Sequence, residues 1–180
     1  SGDLRDDQRQ ETGWLLWRND GEMKFTDVTA QYKIDGYGFA WGAVFEDLDL
    51  DGQLDLLVAQ NYIKWPLHKL RQLPGKVLLQ RERQDGPVLY QADKLGINNP
   101  WFGQSPLIAD LNGDARPDVI WLNMNGPLRA YLNRSTNHVI AVALPDTPAL
   151  AGTRVSLQTG AGLSYSRQAI GSLGLMTDQS

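Results

Sequence analysis

The 180-residue chain has no cysteine and only two histidines, His68 and His138. The first absence excludes disulfides and thiolate metal sites. It does not exclude an extracellular setting, where a bound cation can staple a fold instead. The scarcity of histidine leaves little to act as a general base or to activate a nucleophile. No stretch approaches the roughly eighteen consecutive apolar residues that read as a membrane-spanning helix, and no glycine-rich phosphate loop follows a strand. No signal peptide opens the sequence, and Ser1-Gly2 reads as the scar of a processed tag. An apolar content of 42% argues against both disorder and a membrane protein. The length suffices for one domain, or two small ones, with a real core.

What the chain does have is clustered aspartate. Residues 39–61 place Asp47, Asp49, Asp51 and Asp55 in the pattern D-x-D-x-D-G-x-x-D, with Gly52 at the sixth position. Carboxylates this close repel one another unless a cation neutralises them. Alternate residues turn oxygens to one side and glycine permits a sharp turn, which suits a hard, oxygen-seeking ion. Gln53, at the seventh position, would add its backbone carbonyl. An EF-hand is the rival, but it needs a glutamate at position twelve and flanking helices. Position twelve is Val58, and the run Leu56-Leu57-Val58-Ala59 reads as a buried strand. Before the loop, Phe39, Trp41, Ala43 and Phe45 alternate with Ala40, Gly42 and Val44, giving a strand with one large and one small face. Such a strand suits close sandwiching between two layers, with Trp41 in the core.

A second copy begins 63 residues later, with Asp110, Asn112, Asp114 and Asp118 at the same spacing and Val119-Ile120-Trp121-Leu122 after it. Its position twelve is Trp121, again not an EF-hand ligand. Asp20-Gly21 then Phe25 precede the first loop, and Asp85-Gly86 then Tyr90 precede the second. One acidic cluster is ordinarily a solvated turn; two in the same register, each followed by an apolar strand, make a repeat. Ala115 replaces glycine at position six, which costs about 1 kcal/mol if φ is positive there. Asn112 also removes one carboxylate. Both changes predict that the second site is the weaker. Seven of the 21 acidic residues belong to the two loops, so the remaining 14 face 17 basic residues. The net charge of −4 is therefore mostly a property of the metal sites.

The copies also differ by an insertion. Tyr62, Lys64, Trp65, His68, Lys69 and Arg71 follow the first aliphatic strand, in a stretch from 56 to 81 that has no acid and also carries Lys76 and Arg81. Long loops on rigid repeats commonly bind partners; the alternative is that Trp65 and Leu67 pack onto the scaffold. The basic stretch is short and the chain acidic, which argues against nucleic acid.

In order along the chain, residues 1–12 read as a flexible lead-in. Trp14-Leu15-Leu16-Trp17 reads as a short strand, Asn19-Asp20-Gly21 as a hairpin turn, and residues 23–28 as the return strand. After Leu128 to Leu132, Asn133-Arg134 closes the second repeat, and residues 135–180 form a compositionally distinct, β-rich tail that includes the apolar run 138–144.

Phe25-Thr26-Asp27-Val28-Thr29, Ala40-Trp41-Gly42 and the two Asp loops with their strands resemble the FG-GAP/VCBS repeats of calcium-binding β-propellers. The tail, through Gly152-Thr153-Arg154-Val155 to Gly171-Ser172, resembles the start of an ASPIC/UnbV domain. The resemblance implies an all-β fold of propeller blades, each of four antiparallel strands with its calcium loop between the first two. Residues 13–134 would hold two recognisable blades. Ca2+ would be held at Asp47, Asp49, Asp51, Gln53 and Asp55, and at Asp110, Asn112, Asp114, Arg116 and Asp118, with Gln53 and Arg116 acting through their carbonyls. A propeller needs roughly four to eight blades, so the chain is expected to be a fragment of a longer protein or one piece of an assembly.

The expected function is non-enzymatic: a calcium-stabilised β scaffold for protein binding, adhesion or assembly, extracellular, at the cell surface or periplasmic. A lectin-like carbohydrate-binding module is the alternative, with Trp65 and Trp101 as the stacking candidates and Trp41 and Trp121 as core.

Overall fold

The computed structural model describes residues 13–34, 40–60, 74–124, 126–140, 142, 144, 152–158, 160, 162 and 164–168. Among the described residues the regular structure is antiparallel β, with an α-turn at Thr29–Tyr32 and a 3-10 turn at Asp93–Leu95. Strands β3 (Ala40–Glu46), β4 (Asp55–Gln60), β5 (Lys76–Arg83) and β6 (Gly86–Gln91) form a four-stranded meander. Strands β7 (Gly103–Ala109), β8 (Asp118–Asn123) and β9 (Arg129–Tyr131) form a second meander, of three strands. Two hairpins flank them: β1 (Trp17–Gly21) with β2 (Lys24–Asp27), and β10 (Arg154–Gln158) with β11 (Ser164–Gln168). No helix among the described residues is long and apolar enough to cross a membrane.

The meanders are propeller-like blades stacked face to face, with β3 beside β7. Their shared core is Val44, Leu57, Ala59 and Val77 from one sheet and Ile108, Val119 and Trp121 from the other. The register explains the selection: Val44 pairs with Leu57 and Leu57 with Val77, so the three line up across one face. Burying one such side chain contributes about 1.5–3 kcal/mol. Gly42 is what lets the inner strands approach, because a Cβ there would lie 3.0 Å from the Gln104 carbonyl and from Ser105 Oγ. Trp121 is fully buried and its indole N–H donates to the Ile97 carbonyl at 2.8 Å.

The small face of β3 is thus the buried one. Its large face is less covered: Trp41 is 48% and Phe45 41% exposed, so among the described residues the close sandwich expected from the alternation is present on one side only. Further out on that face Leu56, Val58, Leu78 and Leu89 are covered by Ile34, with Trp14, Leu16 and Tyr32 packed alongside.

The outer hairpins repeat as well. β1 and β2 stand before the first inner pair as β5 and β6 stand before the second, each followed by a helical turn. Buried Val28 and Ala92 open those turns, and their N–H groups donate to the carbonyls of Leu16 and Val77, each at 2.9 Å. Left-handed Lys33 and Gly96 close them.

Two local expectations are corrected. The first strand starts at Trp17 rather than Trp14, because Leu16 turns its N–H to Thr29 Oγ1 and its carbonyl to Val28 instead of joining a ladder. The hairpin turn lies at Glu22 and Met23, both with positive φ, not at Asn19-Asp20-Gly21. Asn19 Oδ1 accepts from Gly21 N–H, and Asp20 is tied to Arg18 and Thr26, which makes that triplet an irregularity at the end of β1. In the tail, the described residues of the 138–144 run form no strand, and Ile140 and Val142 are exposed; the β structure there is the β10–β11 hairpin.

Candidate metal centres

Each Asp loop joins the first two strands of its blade, β3 to β4 and β7 to β8. At the first loop position both carboxylates fold the loop onto themselves. Asp47 accepts the N–H groups of Asp51 and Gly52 at 3.0 and 2.8 Å. Asp110 accepts those of Gly113, Asp114 and Ala115 at 2.8–3.1 Å. At the fifth position Asp51 and Asp114 each accept the N–H two residues on, at 2.9 Å. At the ninth, Asp55 and Asp118 are fully buried. One oxygen of each takes the second-position N–H, from Leu48 at 2.9 Å and Leu111 at 2.8 Å. The other caps the blade's outer strand side, taking Gln80 N–H at 2.9 Å and Asn133 N–H at 2.7 Å.

The loops differ at the third position. Asp49, Asp47 and Asp55 offer carboxylate oxygens all within 4.8 Å of one another; among the described residues this is the group of three acidic side chains so placed. Asp49 Oδ1 is buried with no hydrogen-bond partner among the described residues, and Asp49 Oδ2 pairs with Arg81. Asn112 instead accepts Asp114 N–H and donates to its carboxylate, both at 3.2 Å.

Burial divides the loops electrostatically. It pushes the Asp55 carboxyl up to about 7, and raises Asp47 against the opposing pull of the Gly52 and Asp51 amides. Asp110, at the surface, is held below its ordinary value, chiefly by the Ala115 N–H. A buried oxygen without a hydrogen-bond partner, two carboxyls driven toward protonation and three converging acids all fit a cation held in the first loop. A hard divalent ion such as calcium suits an all-oxygen donor set of this kind.

The first loop is covered by the segment after β9. Asn133 Nδ2 donates to the carbonyls of Leu48 at 2.7 Å and Pro117 at 3.1 Å, so one side chain holds both loops. Ser135 Oγ and Asn137 Nδ2 donate to the Asp49 carbonyl at 3.1 and 2.8 Å. Tyr165 lies so close to Gly52 that a Cβ there would meet its Cε1 at 2.2 Å, and Arg167 comes within 3.9 Å of Glu46.

Of the residues named from sequence, Asp47, Asp49 and Asp55 converge, while Asp51 turns one oxygen to Arg81 Nη1 at 3.0 Å. Gln53 engages Gln80 through its side chain at 3.0 Å, and Arg116 donates from Nε to the Ser135 carbonyl at 2.9 Å. Asp110, Asn112, Asp114 and Asp118 keep the loop's folded pattern with fewer charges. Tyr62, Lys64, Trp65, His68, Lys69 and Arg71 lie outside the described residues. Trp101 is 36% exposed and carries Gly126 against its ring.

The backbone changes one inference. Positions four and six both have positive φ in both loops: Leu50 and Gly52 at 59° and 89°, Gly113 and Ala115 at 79° and 62°. Each loop therefore has one glycine and one non-glycine residue in the left-handed region, and strain at Ala115 does not by itself make the second loop the worse. The second loop does carry one carboxylate fewer.

Sequence reasoning missed Arg81, Asn133, Ser135, Asn137 and Tyr165. The alternation Asn133-Ser135-Asn137 was the available signal, since it sets three polar side chains on one side of an extended segment.

Residues 5–58 match a family model described as an FG-GAP-like repeat. That span takes in the first hairpin, the first loop and most of β4. Over 64 residues the chain is 36% identical to human cartilage acidic protein 1, a match covering 35% of this chain and 10% of that protein. The chain thus spans a small part of that relative's length.

Proposed function

We propose that the chain is part of a calcium-stabilised, extracytoplasmic β scaffold for protein binding, adhesion or assembly, with no catalytic role. The observation that carries this reading is the shared loop architecture: consecutive blades fold an Asp loop with the same hydrogen bonds at positions one, five and nine. The FG-GAP-like match supports it, since repeats of that kind commonly bind calcium and build propellers. Ca2+ occupies both loops, the second more weakly because it has one carboxylate fewer. Calcium outside the cytoplasm is plentiful enough for modest sites to fill. The half-exposed aromatic face of β3 that carries Phe45 suits contact with a further blade of a larger propeller, since exposed apolar patches mark interaction surfaces. Residues 135–180 belong to an ASPIC/UnbV-like segment, and Tyr62, Lys64, Trp65, His68, Lys69 and Arg71 offer the partner contacts.

Calcium titration by calorimetry on the wild type, Asp49→Ala and Asp114→Ala tests this. Two binding events are expected, with the tighter removed by the first substitution and the weaker by the second. Absence of calcium binding by the wild type would overturn the reading.

A further inference from the structure

Arg81, one of several basic residues that trail the insertion in the sequence, lies on β5 and reaches across to the first loop. Nη2 pairs with Asp49 Oδ2 and Nη1 with Asp51 Oδ2 at 3.0 Å, while Nη1 also donates to the Gln80 carbonyl at 2.6 Å. These contacts involve the two acids whose oxygens the loop backbone uses least. Asp47 and Asp55 spend both oxygens on N–H groups, whereas Asp49 and Asp51 each give one to the guanidinium. One positive charge cannot neutralise four carboxylates, so room for a dication remains. A dication bound through Asp49 Oδ1 shares that carboxylate with Arg81, and one that also recruits Asp51 must take or share the oxygen the guanidinium holds; either outcome sets cation against cation at short range.

The second loop lacks this arrangement. Gln80 and Asn133 cap the ninth-position aspartates in the same way, so the residue placed like Arg81 is Arg134. Arg134 forms no ion pair with a described residue, and the third position it would address is neutral Asn112. Arg116, within the loop itself, stands 3.7 Å from Asp114.

We infer that Arg81 is a tethered competitor for the cation of the first loop: it holds Asp49 and Asp51 while the loop is empty and lowers the loop's calcium affinity. This rests on the calcium reading above. Its consequence is a site that releases calcium readily yet does not fall apart when it does, because the guanidinium replaces part of the lost charge.

Calorimetric calcium titration of the full chain at low ionic strength tests it on the wild type, Arg81→Gln and Arg81→Lys. Arg81→Gln should bind calcium in the first loop at least about tenfold more tightly, equivalent to about 1.4 kcal/mol, with the second event unchanged. Arg81→Lys keeps the charge with a poorer fork and should fall between the two. In chelator, Arg81→Gln should melt below the wild type, and saturating calcium should close that gap. If Arg81→Gln folds only with calcium, the Arg81→Lys affinity decides: no tightening over wild type overturns the proposal. Equal or weaker binding by Arg81→Gln overturns the competitor role and leaves the calcium reading standing. Failure of the wild type and both variants to bind overturns both.

Discussion

Asn133 is the side chain through which the two loops are joined, and its replacement gives a sharp test of the covering segment. Asn133→Ala removes donation to the Leu48 and Pro117 carbonyls and the bond accepted from Ser135 N–H at 2.8 Å. A net hydrogen bond is worth about 0.5–1.5 kcal/mol. Three bonds at a half-buried residue, discounted for water that can replace some of them, give a loss of about 2 kcal/mol. For a chain of this length each kcal/mol moves Tm by roughly 2–4 °C, so a fall of about 4–8 °C is expected. Asn133→Asp is the sharper variant. It keeps the shape and the Ser135 acceptor but sets a carboxylate against two carbonyls, so it should cost at least as much as alanine. Calorimetric melting at one fixed calcium concentration measures both, since bound ion shifts Tm by mass action. Melting of both variants within about 1 °C of the wild type would refute the bridging role.

Other outcomes follow from the same contacts. Gly52→Ala and Gly113→Ala each put a Cβ at positive φ, costing about 1 kcal/mol; at Gly113 nothing lies within 4 Å, but at Gly52 the methyl strikes Tyr165. Urea unfolding should therefore show the Gly52 variant clearly the less stable; equal losses would mean the C-terminal hairpin does not rest on the loop. Asp55 has a folded pKa of about 7 against an ordinary 3.8, so without calcium the folded state binds a proton the unfolded state lacks between those values. Calcium-free protein should thus lose stability as pH rises from about 4 to 7, with a higher Tm at pH 5 than at pH 8. Asp55→Asn should flatten this slope, and an unchanged slope would count against Asp55 as its source.

Much of the fold was legible because strands bury one face at a time. The runs after the loops became β4 and β8, and Gly42 marked the close approach of β3 to β7. What could not be read was which face of β3 would be covered, since that depends on a neighbouring layer. The aromatic face looked like core by composition and is half-exposed. The hairpin turn was misplaced because Asn-Asp-Gly is a strong local turn signal, yet Asp20 has partners in Arg18 and Thr26 that hold it in β1. In the loops, the spacing named Asp47, Asp49 and Asp55, whose oxygens converge, but carried no sign that Asp51 turns one oxygen to Arg81. Arg81 is 30 residues from Asp51 along the chain, and Asn133 is 85 from Leu48. Positive φ at Leu50 likewise has no sequence mark.

The central claim is that calcium holds the blades' first turns together, and thermal melting with and without calcium tests it most directly. With dissociation constants of about 10–100 µM, millimolar calcium should stabilise the fold by roughly 1.4–2.7 kcal/mol per site. The wild type should melt several degrees higher in calcium than in chelator. Asp51→Ala should lose most of that gain and Asp114→Ala less. A wild-type Tm indifferent to chelator would contradict the account.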